Sequence, residues 1–407
     1  MRILLLNQFY VPDAAPTGQL LADLAVYLAR RGHEVHVVCS QGPYALTGPI
    51  TAPARQEALV RVHRLGATGF GRNRLPGRIA DYASFHVLAL AKVLALPRMD
   101  VCVALTTPPF ICLVGVMLSR LRGTRLVLWC MDLYPEVAVA YGVLRRGSLL
   151  ERVFAGISRL VYASAERIVS LGEFMTARLI AAGASAHRTV TVHNWVPGEC
   201  VRCLPPGRSH ARERYCKGSQ VMLMYSGNLG VGHDLETAIQ AMHRLRDDPD
   251  LRLHFVGAGK RLSALRALAV QLRLDSVEFH PPFALEQLSD NLAAADVHLV
   301  SQRPLTQGLI VPSKVYGILA AGRPFLFVGP DNCEAATIAR QSGAGVVVPP
   351  GDADSLSDAI RRLADNAALR REMGDNARRY YEAHLGRDRS LQAMLQAIEH
   401  AGAKRAP

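Results

Sequence analysis

The feature that most restricts the fold of this chain is a regular alternation of short apolar runs with helical stripes. Most runs are apolar at consecutive positions, and many of the segments between them repeat apolar residues three and four positions apart. Strands that are apolar on both faces and alternate with helices are typical of parallel sheets covered on both sides. The runs that we predict as strands are 3–7, 34–40, 61–65, 101–105, 125–130, 167–171, 189–194, 222–227, 252–257, 276–280, 296–301, 324–329 and 345–348.

One stretch rich in Pro, Gly and charge interrupts this alternation near the middle of the chain. With 407 residues the chain is too long for one core, and it fits two domains of roughly 150–200 residues each. We therefore predict an α/β protein with two doubly wound, Rossmann-like parallel-sheet domains, at 1–197 and 220–369, joined by a linker at 198–219. Residues 370–407 are predicted as a helical tail that packs back on the first domain.

The formal net charge of +13 and the isoelectric point near 9.7 indicate an anionic partner, which could be phosphate, nucleic acid or a membrane surface. No compact block of Lys and Arg is interleaved with aromatic residues, which argues against nucleic acid. Residues 101–118 are apolar, but threonines and prolines at 106–109 interrupt them, so we expect no membrane-spanning helix there. Most cysteines stand alone in apolar strands, as in proteins of a reducing cytoplasm.

Open α/β sheets bind ligands outside the carboxyl ends of their strands. In the second domain two strands run into Gly-rich loops, at 226–230 and 257–260, and glycine lets backbone N–H groups approach a diphosphate. Lys314 stands in the first turn of a helix that Ser313 can cap, and a cation at a helix start favours a nearby anion. Alternatively, the glycines merely end strands and Lys314 is a solvated lysine. Neither loop has the Walker spacing.

In the first domain, polar residues follow two strands. Thr17 and Gly18 open a helix, so Gly18 can face an anion. Asp132, Tyr134 and Glu136 follow the fifth predicted strand, at 125–130. An acidic side chain there would reach the ligand-binding edge of the sheet rather than the core. Alternatively, Asp132 only caps a helix. The sequence contains no Ser-His-Asp or Cys-His nucleophile pattern and no HExxH motif.

Cys200, Cys203, His210 and Cys216 lie in the predicted linker and could in principle bind zinc. Their spacing matches no common zinc module, and a single CxxC is weak evidence. We therefore expect no metal site.

Seven motifs occur in the order found in one enzyme family. They are ILLLNQFYVPDAAPTG, MDLYPE, VHNWVP, YSGNLGVGHDLETAI, FVGAGK, VPSKVYGILAAGRP and GVVVPPGD, and they span residues 1–350. In these motifs the chain resembles the GT-B glycosyltransferases of family 4, in the branch of colanic-acid and O-antigen transferases of the WcaI/WbuB type. The resemblance implies two domains facing across a cleft, with a nucleotide sugar bound by the second and an acceptor by the first. It also implies transfer with retention of configuration, without a metal ion or other cofactor.

The loops and the resemblance together indicate the site residues. Donor binding is expected at Gly18, Gly227, Asn228, Gly257, Lys260, Phe283, Gln307, Ser313, Lys314 and Glu334, and acceptor binding at Thr17, Asp132, Tyr134 and Glu136. Asp132 and Lys314 are expected to act in catalysis. Gly317 stands where the wider family carries a glutamate that contacts the ribose. Lys314 is then the expected cation on the diphosphate, and Glu334 is a replacement contact to ribose or sugar.

The resulting interpretation is a retaining glycosyltransferase that uses a UDP- or GDP-sugar and a lipid-linked saccharide acceptor in surface-polysaccharide assembly. Two alternatives stay open: a GT-B sugar-nucleotide epimerase, and a non-catalytic partner subunit suggested by Gly317. Residues 143–162 form a basic amphipathic pattern suited to an anionic membrane surface. The same pattern also fits an ordinary helix that packs on the sheet. We expect a cytoplasmic protein, peripheral on the inner face of the membrane, with no nucleic-acid partner.

Overall fold

The computed structural model describes residues 1–13, 15–41, 59–70, 75–197, 201–204, 208–216 and 221–403. The chain divides into two compact units. The first comprises Met1–His193 together with Asp388–Pro407, and the second comprises Asn194–Arg387. Each unit contains one parallel sheet whose strands are connected through helices.

In its described residues, the first unit contains a seven-stranded parallel sheet in the order β3-β2-β1-β4-β5-β6-β7. Because β1 pairs with both β2 and β4, the strand order reverses between β1 and β4. The strands are β1 (Arg2–Leu6), β2 (Glu34–Ser40), β3 (Arg61–Leu65), β4 (Val101–Ala104), β5 (Arg125–Trp129), β6 (Arg167–Ser170) and β7 (Thr189–Thr191). The helices are Pro16–Arg30, Leu75–Ala95, Cys112–Arg122, Glu136–Ala140, Leu149–Ser164, Glu173–Ala181 and Arg387–Gly402, with a 3₁₀ turn at Ala186–Arg188.

The described part of the second unit contains a six-stranded parallel sheet in the order β10-β9-β8-β11-β12-β13. Its strand order reverses between β8 and β11. The strands are β8 (Val221–Ser226), β9 (Leu251–Val256), β10 (Val277–His280), β11 (Val297–Ser301), β12 (Phe325–Val328) and β13 (Gly345–Val348). The helices are His210–Tyr215, Glu236–Arg244, Leu262–Gln271, Leu288–Ala294, Lys314–Ala320, Glu334–Ser342, Ala353–Asp365 and Ala367–Tyr380, with short turns of other helical types at Leu285–Gln287, Pro304–Thr306 and Tyr381–Leu385.

The predicted fold class is confirmed, and every predicted strand is present with ends that differ by a few residues at most. The physical reason is burial on both faces: consecutive residues Ile3–Leu6 of β1 are inaccessible to solvent. Helix Pro16–Arg30 illustrates the connections. It has proline in its first turn, buries Leu21, Leu24 and Leu28, and is followed by Gly32 with a positive φ of 83°.

Part of the stretch predicted as a linker is folded into the second unit. Residues His210–Tyr215 form a short helix that packs on helix Leu288–Ala294. The Asp290 carboxylate accepts hydrogen bonds from the backbone N–H groups of His210 (2.8 Å) and Ala211 (2.9 Å), and Ala211 is fully buried. These bonds satisfy N–H groups that the first turn of a helix cannot satisfy internally.

The possible zinc ligands of this stretch can be compared only where the structure describes them. Within the described residues, Cys203, His210 and Cys216 are not among the ligand-bearing side chains that converge. Cys200 lies outside the described residues.

The C-terminal residues divide between the units. Helix Ala367–Tyr380 stays with the second unit, whereas helix Arg387–Gly402, after its first residue, belongs to the first. Leu391, Met394 and Ile398 are its buried contacts. A Cβ at Gly402 would lie 2.6 Å from Met1 Sδ, so the end of this helix packs tightly against the start of β1.

The apolar stretch at 101–118 supplies β4 and much of helix Cys112–Arg122. Among the helices of the described residues, none combines the length and the apolar character needed to cross a bilayer.

We predict that Asp290→Ala detaches helix His210–Tyr215. The substitution leaves two backbone N–H groups without their acceptor, which should cost about 1–3 kcal/mol locally. Hydrogen–deuterium exchange of residues 208–216 should then accelerate about 10–100-fold. Asp275→Ala, an exposed aspartate in a loop of the same unit, is the matched control. Equal exchange in both variants would contradict the capping role of Asp290.

Candidate functional site

The strand-order reversal of the second sheet lies between β8 and β11, and ligands of such sheets bind beside the carboxyl ends of strands at this point. β8 ends at Ser226 and continues into Gly227 and Asn228. β11 ends at Ser301, and the chain runs from there to helix Lys314–Ala320. The crossover therefore brings the Gly-rich loop and the Lys314 helix, both predicted from the sequence, to one edge of the sheet.

Two glutamine side chains hold the loop before Lys314. The buried Gln302 amide donates to the carbonyl oxygens of Thr306 (3.0 Å) and Ile310 (3.2 Å). The Gln307 amide nitrogen donates to the carbonyl oxygen of Asn332 at 2.7 Å. Gln307, expected to bind the donor, thus has its amide nitrogen engaged in fixing this loop. Sequence reasoning missed Gln302, because its importance comes from carbonyls four and eight residues away.

Lys314 places its charge at the crossover. Its Nζ lies 3.5 Å from the centre of the Tyr225 ring, and a Cβ at position 227 would lie 3.6 Å from Nζ. The Nζ atom is inaccessible to solvent and has no hydrogen-bond acceptor among the described residues. Burial lowers the pKa of Lys314 well below its ordinary value. An ammonium group on an aromatic face without an acceptor is stabilised only in part, so an anion beside Gly227 would complete this arrangement.

His233 and Tyr225 lie beside this lysine. His233 Nδ1 lies 2.6 Å from the carbonyl oxygen of Ser301, so this nitrogen is the protonated donor. Burial, and then the charge of Lys314, lower the pKa of His233 to about 3. The imidazole is therefore neutral at pH 7. The Tyr225 hydroxyl donates to the carbonyl oxygen of Asn228 at 2.9 Å and holds the loop after β8.

Neighbouring guanidinium groups are already paired. Glu236 contacts Arg303 Nη2 at 3.2 Å and also forms an ion pair with Arg261. Arg303 Nε donates to the carbonyl oxygen of His233 at 3.0 Å. Lys314 differs from both arginines because the described residues offer it no carboxylate partner.

The glycines after β8 and β9 serve loop packing. A Cβ at Gly257 would overlap the carbonyl oxygen of Gly227, and one at Gly259 would overlap that of Leu229. Leu229 N–H donates to the carbonyl oxygen of Ala258 at 2.9 Å. Gly257 also has φ at 151°, which other residues rarely adopt. Gly257 therefore gives room to the neighbouring loop, while Gly227 is the glycine that faces Lys314.

The capping prediction for Ser313 is wrong. Ser313 precedes helix Lys314–Ala320, but its hydroxyl makes no capping hydrogen bond. Its φ and ψ of −61° and −19° are helical, whereas a capping residue needs an extended backbone to turn its side chain onto the first turn.

The remaining predicted donor residues are spread along the same edge. Asn228 and Lys260 are exposed. Phe283 is partly buried and packs on a small apolar cluster that includes Ala211 and Cys216. Glu334 is 4 % exposed and is the first residue of helix Glu334–Ser342.

Gly317, where a glutamate stands in the wider family, packs against a neighbouring helix. A Cβ at this position would lie 3.3 Å from Leu292 Cδ1. Burial raises the pKa of the nearby Tyr316 hydroxyl, with a smaller contribution from the Glu334 carboxylate. This electrostatic interaction shows that Glu334 and Tyr316 lie in one region.

Asp132 lies in the loop after β5 of the first unit. The Thr106 hydroxyl oxygen accepts from the backbone N–H groups of Met131 and Asp132, both at 3.1 Å, and so fixes this loop. Burial raises the pKa of Asp132 to about 6. The residue before helix Glu136–Ala140 is Pro135, so the alternative that Asp132 only caps this helix is wrong.

The other predicted acceptor residues surround the same loop or the first helix. The Tyr134 carbonyl oxygen accepts from the Ser158 hydroxyl at 2.6 Å. Burial, and then the charge of Asp132, raise the pKa of Tyr134. One Glu136 carboxyl oxygen is buried without a hydrogen bond to the described residues. The pocket around Asp132 is lined by Thr106, Phe110, Leu133, Tyr134, Ser158 and Tyr162.

Gly18 has a packing role of its own. A Cβ there would lie 3.1 Å from the backbone carbon of Phe9 and from the nitrogen of Tyr10. Glycine thus lets helix Pro16–Arg30 approach the loop after β1, and the half-buried Thr17 precedes it.

Comparison with known proteins agrees with this arrangement. Residues 17–195 match the family described as "Glycosyl transferase 4-like domain", and residues 220–366 match "Glycosyl transferases group 1". The chain is similar to the protein named "Putative colanic acid biosynthesis glycosyl transferase WcaI" of Escherichia coli K12, with 24 % identity over 98 % of this chain and 100 % of that protein. It is 26 % identical to the "Probable glycosyltransferase WbjE" of Pseudomonas aeruginosa, over 78 % of each chain.

A solved structure shares the fold. The Anabaena protein Alr3699/HepE, crystallised with UDP and glucose, is 17 % identical and superimposes with a TM-score of 0.75 over 98 % of this chain and 99 % of its own. The two family matches cover strands β2 to β13 and the crossover at Lys314. The chain therefore belongs to the glycosyltransferases of family 4 with the GT-B fold, the family that its sequence motifs resemble.

Proposed function

We propose that this glycosyltransferase moves a sugar from a nucleotide-sugar donor, a UDP- or GDP-sugar, to a lipid-linked saccharide acceptor in surface-polysaccharide biosynthesis. The observation that carries the proposal is the buried Nζ of Lys314, which faces Gly227 and has no acceptor among the described residues. The name of the WcaI relative, which includes colanic acid biosynthesis, supports the pathway class. The UDP and glucose in the HepE structure support the donor class.

In this proposal the donor diphosphate lies beside Gly227 and accepts a hydrogen bond from Lys314. As the nucleotide departs, negative charge grows on its β-phosphate, so a fixed cation binds the transition state more strongly than the ground state. The interaction is strong because Nζ is shielded from water. His233, neutral and fixed by Ser301, adds no competing positive charge.

In this proposal the Lys314 ammonium group takes the role that a divalent metal ion would have at the diphosphate. A bound divalent ion would neutralise the leaving group in the way that Lys314 does here. We therefore propose transfer without a metal, and with retention of configuration as in the family that the motifs resemble.

In the first unit, Asp132 would accept a hydrogen bond from an acceptor hydroxyl. Its pKa of about 6 keeps the carboxylate ionised at pH 7, although the surroundings disfavour the charge. A carboxylate retained at such a cost is typical of a functional group. Tyr134 and Glu136, in the same loop and helix start, would contribute further acceptor contacts.

A membrane surface is the proposed location of the lipid-linked acceptor. Helix Leu149–Ser164 directs Ser158, Val161 and Tyr162 inward. It leaves Leu149 (78 % exposed) and Val153 (49 %) in solvent. Exposed arginines flank these residues at 145, 146, 152 and 159. This combination supports insertion into an anionic headgroup region on the cytoplasmic face.

Lys314→Met tests the donor site. Methionine keeps the apolar stem and removes the charge, so turnover should fall roughly 10²–10³-fold, equivalent to about 3–4 kcal/mol. The measurement follows nucleotide release from UDP- and GDP-sugars with a polyprenyl-diphosphate-linked saccharide present. Lys92→Met, in the first unit, is the matched control and should keep its turnover.

Near-parental turnover of Lys314→Met with an unchanged melting curve would remove this lysine from the site. Nucleotide release that ignores the acceptor, or interconversion of sugar nucleotides without it, would contradict glycosyl transfer itself.

Asp132→Asn should separate stability from activity. Folding raises the pKa of Asp132 from 3.8 to about 6, so the ionised form is disfavoured in the folded protein. That cost is absent below about pH 4 and complete above about pH 6. The variant should therefore melt higher than the parent at pH 7.5, with no difference near pH 4. Its turnover at pH 7.5 should fall about 10–100-fold.

The parent's activity should rise as the pH increases through about 6, and Asp275→Asn should behave like the parent. Full turnover in Asp132→Asn, or a profile without a rise near pH 6, would contradict the proposed role.

Leu149→Glu/Val153→Glu should weaken vesicle binding. Each apolar side chain contributes about 1.5–3 kcal/mol when fully buried in the membrane, so partitioning onto anionic vesicles should fall at least about tenfold. Val270→Glu, an exposed valine of the second unit (77 %), is the matched control. Co-sedimentation that ignores the double substitution, lipid charge and salt would contradict the membrane proposal.

A further inference from the structure

The outer edge of the second sheet carries a cluster of nitrogen and oxygen ligands that the proposed reaction does not use. His254 lies on β9, and Glu278 and His280 lie on the edge strand β10. Glu278 is the register partner of His254, and His280 is two residues further along. Because side chains two positions apart point to the same face, the three groups share one face of the sheet.

The ligand atoms converge on one point. His254 Nδ1 lies 2.9 Å from His280 Nε2, Glu278 Oε2 lies 3.4 Å from His280 Nε2, and Glu278 Oε2 lies 3.9 Å from His254 Nδ1. A triangle with these sides has a circumradius of about 2.0 Å, so one point lies at zinc–nitrogen and zinc–oxygen distance from all three atoms.

The surroundings of the cluster fit metal ligands. The second ring nitrogen of His254 lies 3.7 Å from Cys216 Sγ, and a metal-bound histidine commonly donates its other N–H to a neighbour. Tyr215 covers both imidazoles, with ring centroids 4.6 Å from His280 and 5.8 Å from His254. The Glu278 side chain is 44 % exposed, which leaves solvent access on one side for a fourth ligand such as water.

The first unit supplies an internal contrast. His36 on β2 and His63 on the edge strand β3 stack in the same way, with Nδ1 and Nε2 3.1 Å apart. The nearby Glu34, however, reaches the opposite nitrogen of His36 and pairs with Arg2 (3.0 Å) and Arg61 (2.8 Å). Three ligand atoms do not converge there. In contrast, the described residues place no arginine or lysine in an ion pair with Glu278.

We propose that His254, Glu278 and His280 bind one divalent zinc ion that fastens the edge strand β10 to β9. Two imidazoles and a carboxylate form a ligand set that selects zinc and similar transition metals over magnesium or calcium. The three ligands lie on β9 and β10, and none of them is a residue of the proposed donor or acceptor site, so we assign the ion a structural role rather than a part in glycosyl transfer. The inference is independent of the proposed function.

The test titrates the full chain, stripped with a chelator, with Co²⁺ and follows the d–d absorption bands, and then displaces Co²⁺ with Zn²⁺. We expect one ion per chain with tetrahedral or five-coordinate bands. Glu278→Gln should weaken binding at least tenfold, and His280→Gln should abolish it. Zn²⁺ should raise the melting temperature of the parent and leave that of His280→Gln unchanged.

His63→Gln is the matched control, because it removes a histidine from the corresponding pair of the first unit. It should bind Co²⁺ like the parent. Circular dichroism establishes that each variant is folded, and the exposed Glu278 makes Glu278→Gln the variant least dependent on core packing. If no Co²⁺ absorption bands appear at millimolar Co²⁺, then His254 and His280 only form a hydrogen bond with each other and bind no metal. Binding that survives His280→Gln would place the ion on other ligands, and either result overturns the proposal.

Discussion

A parallel strand cannot return to its neighbour by a tight turn, and this constraint shapes both units. Each connection needs a crossover, here supplied mostly by helices, and helices then cover the faces of the sheet. The central strands consequently have no solvent-facing side, as the buried residues Ile3–Leu6 show. Polar groups are left mainly to the strand ends, where loops from distant parts of the chain meet. The residues of the proposed site therefore follow the carboxyl ends of β5, β8 and β11.

At the β8–β11 crossover, the decisive property is the buried amino group of Lys314, which has no acceptor among the described residues. Removing an ammonium group from water costs several kcal/mol unless an opposite charge compensates for it. Glu236 forms ion pairs with both Arg303 and Arg261, whereas no carboxylate among the described residues pairs with Lys314. Tyr225 gives a partial substitute through its ring face. Such an arrangement favours an anionic ligand, because the ligand supplies the negative charge that would pair with the Lys314 ammonium group.

Both units contain a pair of stacked histidines on the edge strand and its neighbour, and the position of a nearby glutamate differs between them. Stacked histidines join the edge strand to its neighbour in both, at 3.1 Å in the first and 2.9 Å in the second. In the first, arginines hold Glu34 in a surface ion-pair network. In the second, Glu278 lies beside the facing nitrogens of both rings. With the same strand geometry, the glutamate therefore either forms ion pairs with arginines, as Glu34 does, or joins the two histidines as a possible metal ligand, as Glu278 does.

The sequence by itself determined the strands, the two-sheet class and the family, because burial on both faces and motif order are properties of local segments. It also predicted Gly227 and Asp132, which come shortly after strands, and Lys314, which begins the helix after β11, as site residues. Only the tertiary structure decided that Gly257 makes room for the Gly227 carbonyl, that Ser313 does not cap, and that Asp290 holds a helix inside the expected linker. It alone brought His254, Glu278 and His280 together. These features depend on strand register and on contacts between residues far apart in the chain. A local sequence pattern does not determine which distant residues come into contact.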